Sequence, residues 1–95
     1  MSYLVDSVDS AMRLLNCIAE HPGLGVTELA NRLALNKSRT YRMVRTLQHH
    51  QLVVLDPRNA TYVLGPQAAF LGGAASRQTP ITQAIAQISA SDSGR

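Results

Sequence analysis

Residues 36–50, with the sequence NKSRTYRMVRTLQHH, decide the fold. Placed on a helix at about 100° per residue, this stretch separates into a packing side and a polar side. The packing side consists of Thr40, Met43, Val44 and Leu47. The polar side consists of Ser38, Arg42, Arg45 and His49. Asn36 is a favourable N-cap residue, so the stretch predicts a two-sided helix over about residues 37–50.

Two shorter helices are predicted before this stretch. An apolar repeat with i, i+3, i+4 and i+7 spacing indicates a first helix over residues 8–20, with Ser7 as its N-cap. Its packing stripe consists of Val8, Ala11, Met12, Leu15, Ile18 and Ala19. The segment His21-Pro22-Gly23 ends this helix, because proline disfavours the α conformation at the residue before it. A second helix over residues 26–34 leads through Ala34-Leu35-Asn36 into the third, which is typical of a helix-turn-helix.

The pattern after residue 50 favours a β-hairpin and then helix again. Leu52–Leu55 and Thr61–Leu64 are β-prone, and Asp56-Pro57-Arg58-Asn59 between them has turn chemistry, which predicts a wing over about residues 52–64. Pro66 favours the start of a linker helix over residues 66–77. A last segment begins at Thr79-Pro80 and ends in a polar tail, residues 89–95. The expected fold is mainly α with a small β-hairpin, a winged helix-turn-helix followed by a linker helix.

The composition limits the size and the location of the protein. A chain of 95 residues, 45% of them hydrophobic, can build one small core but not a second full domain beside it. Cys17 is the only cysteine, which excludes a disulfide framework and a multi-cysteine zinc site, and we expect it to be a small buried thiol.

No apolar run approaches the roughly 20 residues of a membrane span, and the N-terminus lacks the features of a signal peptide. We therefore expect a cytoplasmic protein without membrane contact.

Catalytic and metal-binding patterns are missing from the sequence. His49 and His50 are adjacent, so on a helix they point about 100° apart, whereas helical metal ligands are usually three or four residues apart. We find no Ser/His/Asp pattern, no carboxylate pair and no glycine-rich phosphate loop. The sequence therefore predicts no enzymatic activity, no cofactor and no bound metal.

Positive charge is concentrated in the third helix. Residues 36–55 contain Lys37, Arg39, Arg42 and Arg45 and no acidic residue, a charge of +4 that exceeds the net +3 of the whole chain. Phosphates attract such side chains through counterion release, and arginine also matches the major-groove edge of guanine. We therefore predict binding to double-stranded DNA. A merely solvated cationic face is the alternative, which the neighbouring helix and hairpin disfavour.

The N-terminal part of a recognition helix usually contacts the bases. We therefore expect Lys37, Ser38, Arg39 and Arg42 to contact bases, and Arg45 to contact a phosphate. Tyr41, on the flank of the same helix, and Thr27, in the second helix, complete the predicted interface on the helices. Arg58, in the hairpin turn, is either a further contact to the phosphates or the minor groove, or an ordinary turn residue.

A protein-interaction module is the alternative function from another class. Winged helices also serve as docking domains, and a fold alone does not determine function. Such a module would more often show an apolar patch or mixed charges on the third helix. The exposed charges predicted here are all cationic, which favours DNA.

Four stretches resemble the N-terminal domain of the isocitrate-lyase-regulator (IclR) family of bacterial transcriptional regulators, and the resemblance covers about residues 5–75. They are SVDSAMRLL (7–15), TELA (27–30), KSRTYRMVRTL (37–47) and YVLG (62–65). The resemblance implies a metabolite-responsive regulator that binds DNA as a homodimer. It also implies a linker helix that leads to a separate C-terminal domain, where a small-molecule effector binds.

This resemblance suggests a division into residues 1–65 as the DNA-binding domain, 66–78 as the linker helix, and 79–95 as the start of a truncated effector domain with a polar tail. The sequence leaves open whether the chain is a fragment or a truncated product. The expected dimer surfaces are the first helix and residues 67–76. The alternative is that Phe70 and Leu71 in that stretch fold back on their own domain.

Several positions depart from the family pattern. The family often has serine at Gly25, so we expect a capping box with Glu28 to be lost. It often has glycine at Ala34 and Gln51. Arg39 adds a cation where bases are expected to be contacted, so operator preferences of the family need not transfer.

Overall fold

Five helices and one hairpin follow each other along residues 3–92, the part of the chain that the computed structural model describes. They are α1 (Asp6–Glu20), α2 (Val26–Leu33), α3 (Lys37–His49), β1 (Val53–Asp56), β2 (Thr61–Leu64), α4 (Pro66–Arg77) and α5 (Thr79–Asp92). The order confirms the predicted winged helix-turn-helix with a following helix. No helix among the described residues is both long and apolar enough to cross a membrane.

The core lies where α1, α2, α3 and the hairpin meet. Its largest fully buried side chains include Leu14 and Ile18 of α1, Leu29 of α2 and Val44 of α3. The predicted packing side of α3 is confirmed, because Thr40, Val44 and Leu47 are all buried. The Thr40 hydroxyl donates a hydrogen bond of 2.9 Å to the Asn36 carbonyl, so this polar group enters the core with a partner. Cys17 is buried with a free thiol, as expected.

The predicted details of α1 are partly wrong. The helix begins at Asp6 with Val5 as its N-cap, so Ser7 lies inside the first turn and does not cap the helix. The buried residues of α1 are Ser10, Leu14, Cys17 and Ile18. Only Ile18 of the predicted stripe is among them, whereas Val8 is 56% exposed and Met12 is 45% exposed. The apolar repeat fits two overlapping faces, and packing against α3 and β2 selects the face that contains Leu14.

The helix-turn-helix joint lies at Ala34-Leu35-Asn36, as predicted. The Asn36 side chain accepts a hydrogen bond of 2.7 Å from the backbone N–H of Arg39, which confirms its role as the N-cap of α3. At the start of α2, the Glu28 carboxylate accepts a hydrogen bond of 3.2 Å from the Gly25 N–H. One half of the capping box therefore remains without a serine at residue 25.

The hairpin is antiparallel and pairs Val53 with Leu64 and Asp56 with Thr61. Its first strand begins one residue later than predicted. The Tyr62 N–H donates to the Leu24 carbonyl at 3.0 Å, which ties the hairpin to the segment between α1 and α2. A Cβ on Gly65 would lie 2.5 Å from the Gln51 carbonyl oxygen, so only glycine allows this close approach between the two ends of the hairpin.

The two C-terminal helices add little to the core. The linker helix α4 begins with Pro66 as predicted, and it has no buried residue. Phe70 is 60% exposed and Leu71 is 50% exposed, so neither is packed into the core formed by α1, α2, α3 and the hairpin. The first part of the polar tail is helical, because α5 continues to Asp92. Residues 93–95 of that tail lie outside the described residues.

We expect Leu47→Ala to lower the free energy of unfolding by about 2–5 kcal/mol, because it removes a buried side chain and leaves a cavity. Leu64→Ala is the control, since Leu64 is 42% exposed and its loss should cost clearly less. Urea-induced unfolding of both variants measures the difference. Equal losses, or an unchanged midpoint for Leu47→Ala, would contradict the helical register of α3.

Ala34 has a left-handed backbone, with φ 55° and ψ 42°. This conformation destabilises the folded state by roughly 1–2 kcal/mol for an L-residue, and glycine avoids that cost. Glycine also raises the conformational entropy of the unfolded chain, which offsets part of the gain. We expect Ala34→Gly to raise the free energy of unfolding by about 0.5–1 kcal/mol. The same substitution at Ala19, which is exposed inside α1, should lower it by about 1 kcal/mol. Effects of the same sign at both positions would refute this explanation.

Candidate DNA interface

The outward side of α3 is the most positively charged surface of the described chain. Burial of Thr40, Val44 and Leu47 turns the opposite side of the helix to solvent. The side chains exposed there include Lys37, Ser38, Arg42, Arg45 and His49. Within residues 3–92, no acidic side chain forms an ion pair with Lys37, Arg42 or Arg45. Their full charges are therefore available to a polyanion.

The start of α3 is held firmly by the rest of the fold. The Asn36 cap fixes the first turn, and the buried Thr40 follows one turn later. Further along the helix, the Thr46 hydroxyl donates to the Arg42 carbonyl at 2.9 Å. The exposed cations thus project from a helix whose position is fixed by its own buried side.

Arg39 differs from the other three cations of α3. Its Nη2 donates to Asp6 Oδ2 of α1 at 2.7 Å and to the Ser10 hydroxyl at 3.3 Å. Its side chain is 35% exposed, whereas that of Asp6 is 84% exposed. The sequence analysis missed Asp6 and Ser10, because they lie in another helix, 33 and 29 residues away along the chain.

Tyr41 is half-exposed on the flank of α3, near the hairpin. Burial raises the pKa of Tyr62 in β2 above its usual value, and the neighbouring Tyr41 adds to this rise. The positive charge of Arg45 acts on the same pKa in the opposite direction. The packing of α3 against β1 makes the cationic helix and the wing neighbouring surfaces.

Arg58 projects from the turn of the wing, and its side chain is 86% exposed. Its Nε and Nη2 donate to the Asp56 carboxylate at 3.0 and 2.8 Å, and its backbone N–H donates to the same carboxylate at 3.0 Å. The guanidinium holds the pKa of Asp56 below its usual range, and the carboxylate raises the pKa of Arg58. The pair also places a negative charge beside Arg58, so the wing is less basic than Arg58 alone suggests.

Thr27 lies in the first turn of α2 and is exposed. Exposed N–H groups and the helix dipole make the N-terminus of a helix favourable for a phosphate.

Among the described residues there is no group of three or more histidine, cysteine or acidic side chains that could hold a metal ion.

A groove of about 490 Å³ runs between α1 and α3. Its walls are largely apolar and include Val8, Ala11, Met12, Met43, Leu47 and Leu52. Arg39 and Arg42 lie along the same groove. Val8 and Met12, two of the exposed residues in the predicted packing stripe of α1, therefore line an open surface rather than the core.

The family model described as the IclR helix-turn-helix domain matches residues 7–57. The chain belongs to the IclR helix-turn-helix family. The match covers nearly all of α1, the whole of α2 and α3, and the first strand of the wing. It therefore includes the cationic side of α3 and the elements that pack against this helix. It confirms the resemblance found in the sequence and identifies the chain as a DNA-binding domain of a transcriptional regulator. Nothing in the match favours the alternative of a protein-interaction module.

Solved structures of two regulators also resemble this chain. The IclR transcriptional regulator of Alicyclobacillus acidocaldarius is 39% identical over 77% of this chain and 30% of its own, with a TM-score of 0.73. HmgR of Pseudomonas aeruginosa is 25% identical over 86% of this chain and 36% of its own, with a TM-score of 0.70. This chain therefore spans about a third of the length of these proteins. A comparison with curated proteins found no match.

The fold alone is also shared with a more distant DNA-binding domain. The Zα domain of Carassius auratus PKZ, solved in complex with Z-DNA, is 15% identical over 63% of this chain, with a TM-score of 0.59. The match covers 98% of that domain. It supports the winged-helix architecture and carries no residue role over to this chain.

Proposed function

We propose that this IclR-type domain recognises a specific duplex sequence by placing the first half of α3 in a major groove. The observation that carries the proposal is the outward side of α3, which projects Arg42 and Arg45 from a helix fixed by its buried side. Neither arginine has an acidic partner among residues 3–92. The major groove admits an α-helix, and arginine pairs in a bidentate way with guanine O6 and N7. The wing would lie against the adjacent backbone or minor groove.

We assign different tasks to different exposed residues. Lys37, Ser38 and Arg42 lie in the first half of α3 and would contact base edges. Arg45 lies one turn further along and beside the wing, where it would contact a phosphate, as would the Tyr41 hydroxyl. Thr27 and Arg58 are proposed as further backbone contacts, with Arg58 sharing its charge between Asp56 and the phosphate.

We also propose that the domain acts as a homodimer. Exposed apolar side chains on α1 and α4 support the proposal, namely Val8, Met12, Phe70 and Leu71. Such side chains are unfavourable in water unless a partner covers them. Linking two DNA-binding domains would raise the affinity for a two-half-site duplex through effective concentration, with no new base contact.

We also propose how the chain is divided and how it is connected to the rest of the regulator. We place the DNA-binding domain at residues 1–65, the linker helix at 66–78 and the start of a further domain at 79–95. The apolar side chains of α5, Ile81, Ile85 and Ile88, are each more than half exposed, which supports a contact with further protein. A small-molecule effector would bind in that further domain. The cytoplasm is the proposed location, and we expect no enzymatic activity.

Replacement of Arg42 and replacement of Arg45 should have different consequences. Selection from a random duplex pool first supplies the operator. We expect Arg42→Ala to cost about 1–3 kcal/mol of specific binding and to relax the preference at one base pair, because a bidentate base contact is lost. We expect Arg45→Ala to weaken binding to all duplexes and to reduce the salt slope of log K by roughly one.

Arg13→Ala is the matched control, since Arg13 is exposed on α1 and does not belong to the cationic side of α3. It should change neither the base preference nor the salt slope. If Arg42→Ala and Arg45→Ala give equal losses on every duplex, Arg42 contacts a phosphate and the assignment of roles is incorrect. If the unmodified chain binds no duplex in a salt-dependent manner, the proposed function itself fails.

Sedimentation with a two-half-site duplex tests the homodimer. We expect two chains per duplex with cooperative binding, and simple one-to-one binding to a duplex with a single half-site. Phe70→Ala combined with Leu71→Ala should reduce the cooperativity while leaving the affinity for the single half-site unchanged. One chain per two-half-site duplex at saturating concentration is the result that would rule out the dimer.

A further inference from the structure

The contact between Arg39 and α1 joins the start of the recognition helix to a different part of the fold. A single nitrogen, Nη2, lies 2.7 Å from an Asp6 carboxylate oxygen and 3.3 Å from the Ser10 hydroxyl. The backbone N–H of the same arginine donates to the Asn36 side chain at 2.7 Å. Arg39 is therefore held at both ends, by the helix cap at its backbone and by α1 at its guanidinium.

The partners of Arg39 differ in their access to water. The Asp6 side chain is 84% exposed, whereas Ser10 is only 3% exposed. If the guanidinium moved to DNA, it would give up a charge-assisted hydrogen bond to Asp6. The buried Ser10 hydroxyl would also lose this contact, and an unpaired carboxylate would remain close to the phosphates. Each of these changes opposes the movement of Arg39 from α1 to DNA.

We propose that Arg39 is a positioning residue, which fixes the start of α3 against α1. Asp6 keeps the positive charge of Arg39 away from DNA. The proposal rests on the proposed function of α3 in DNA recognition. It replaces the sequence-based expectation that Arg39 contacts bases. Of the four cations of α3, Lys37, Arg42 and Arg45 then contribute to the electrostatic attraction of DNA, and Arg39 contributes only when Asp6 is removed.

The salt dependence of DNA binding distinguishes a positioning role from a direct contact. Each phosphate contact changes the slope of log K against log salt concentration by about 0.9. An arginine that is neutralised by Asp6 in the complex adds nothing to this slope. Removing the Asp6 charge should release the guanidinium to a phosphate and make the slope steeper by about one contact.

The experiment uses the full chain and the duplex selected with it. Three variants are compared, namely Arg39→Gln, Asp6→Asn and the combination of both. We expect Arg39→Gln to reduce affinity while leaving the ranking of bases at every position unchanged. Because this variant leaves the Asp6 carboxylate unpaired near the phosphates, the salt slope of the double variant, which lacks both charges, tests the role of Arg39. Asp6→Asn should steepen the slope by about 0.9, and the double variant should return it to the original value, because the released charge is then absent. Arg39→Lys, which keeps the charge beside Asp6, should restore most of the affinity that Arg39→Gln loses.

Arg42→Gln is the matched control, since it makes the same substitution one turn along α3 at a cation without an acidic partner. The Arg42→Gln variant should change the base preference or lower the salt slope, whereas the double variant at Arg39 and Asp6 should change neither. The positioning role is overturned if Arg39→Gln relaxes the preference at a single base pair, if the double variant has a slope lower by about one contact than the unmodified chain, or if Asp6→Asn leaves the slope unchanged. In those cases the unmodified chain still binds DNA, so the result is separate from a failure of the proposed function.

Discussion

The burial of one side of α3 is the constraint on which the rest of the structure depends. Thr40, Val44 and Leu47 face α1, α2 and the hairpin, and they cannot do so without turning Arg42 and Arg45 to solvent. The same contacts hold the helix rigidly, which a specific interaction with bases requires because the side chains must reach defined positions in the groove. Core formation and the display of the cationic surface are thus two results of one packing arrangement.

The tertiary structure redistributes the charge that the sequence places in and near this surface. Arg39 is paired with Asp6, and Arg58 is paired with Asp56, whereas Lys37, Arg42 and Arg45 have no acidic partner among residues 3–92. Among the described residues, the cations of α3 that have no acidic partner are therefore Lys37, Arg42 and Arg45. The wing carries a balanced pair, which suits a secondary contact with the backbone more than a main source of affinity.

Apolar side chains are left exposed on α1, α4 and α5. Val8 and Met12 line the groove between α1 and α3, and Phe70 and Leu71 project from α4. A chain of this length has one small core, and the two C-terminal helices add almost nothing to it. These exposed residues support the proposed homodimer, and the matching IclR regulators are about three times as long as this chain.

The sequence by itself determined the elements whose patterns are local. The two sides of α3, the Asn36 cap, the hairpin and the start of α4 at Pro66 all follow from residues a few positions apart, so periodicity and turn chemistry predicted them. Only the tertiary structure decided which of two overlapping faces of α1 is buried, because that depends on the shape of the surface it packs against. It also decided the partner of Arg39, since Asp6 lies 33 residues away and meets it only when α1 and α3 are packed together.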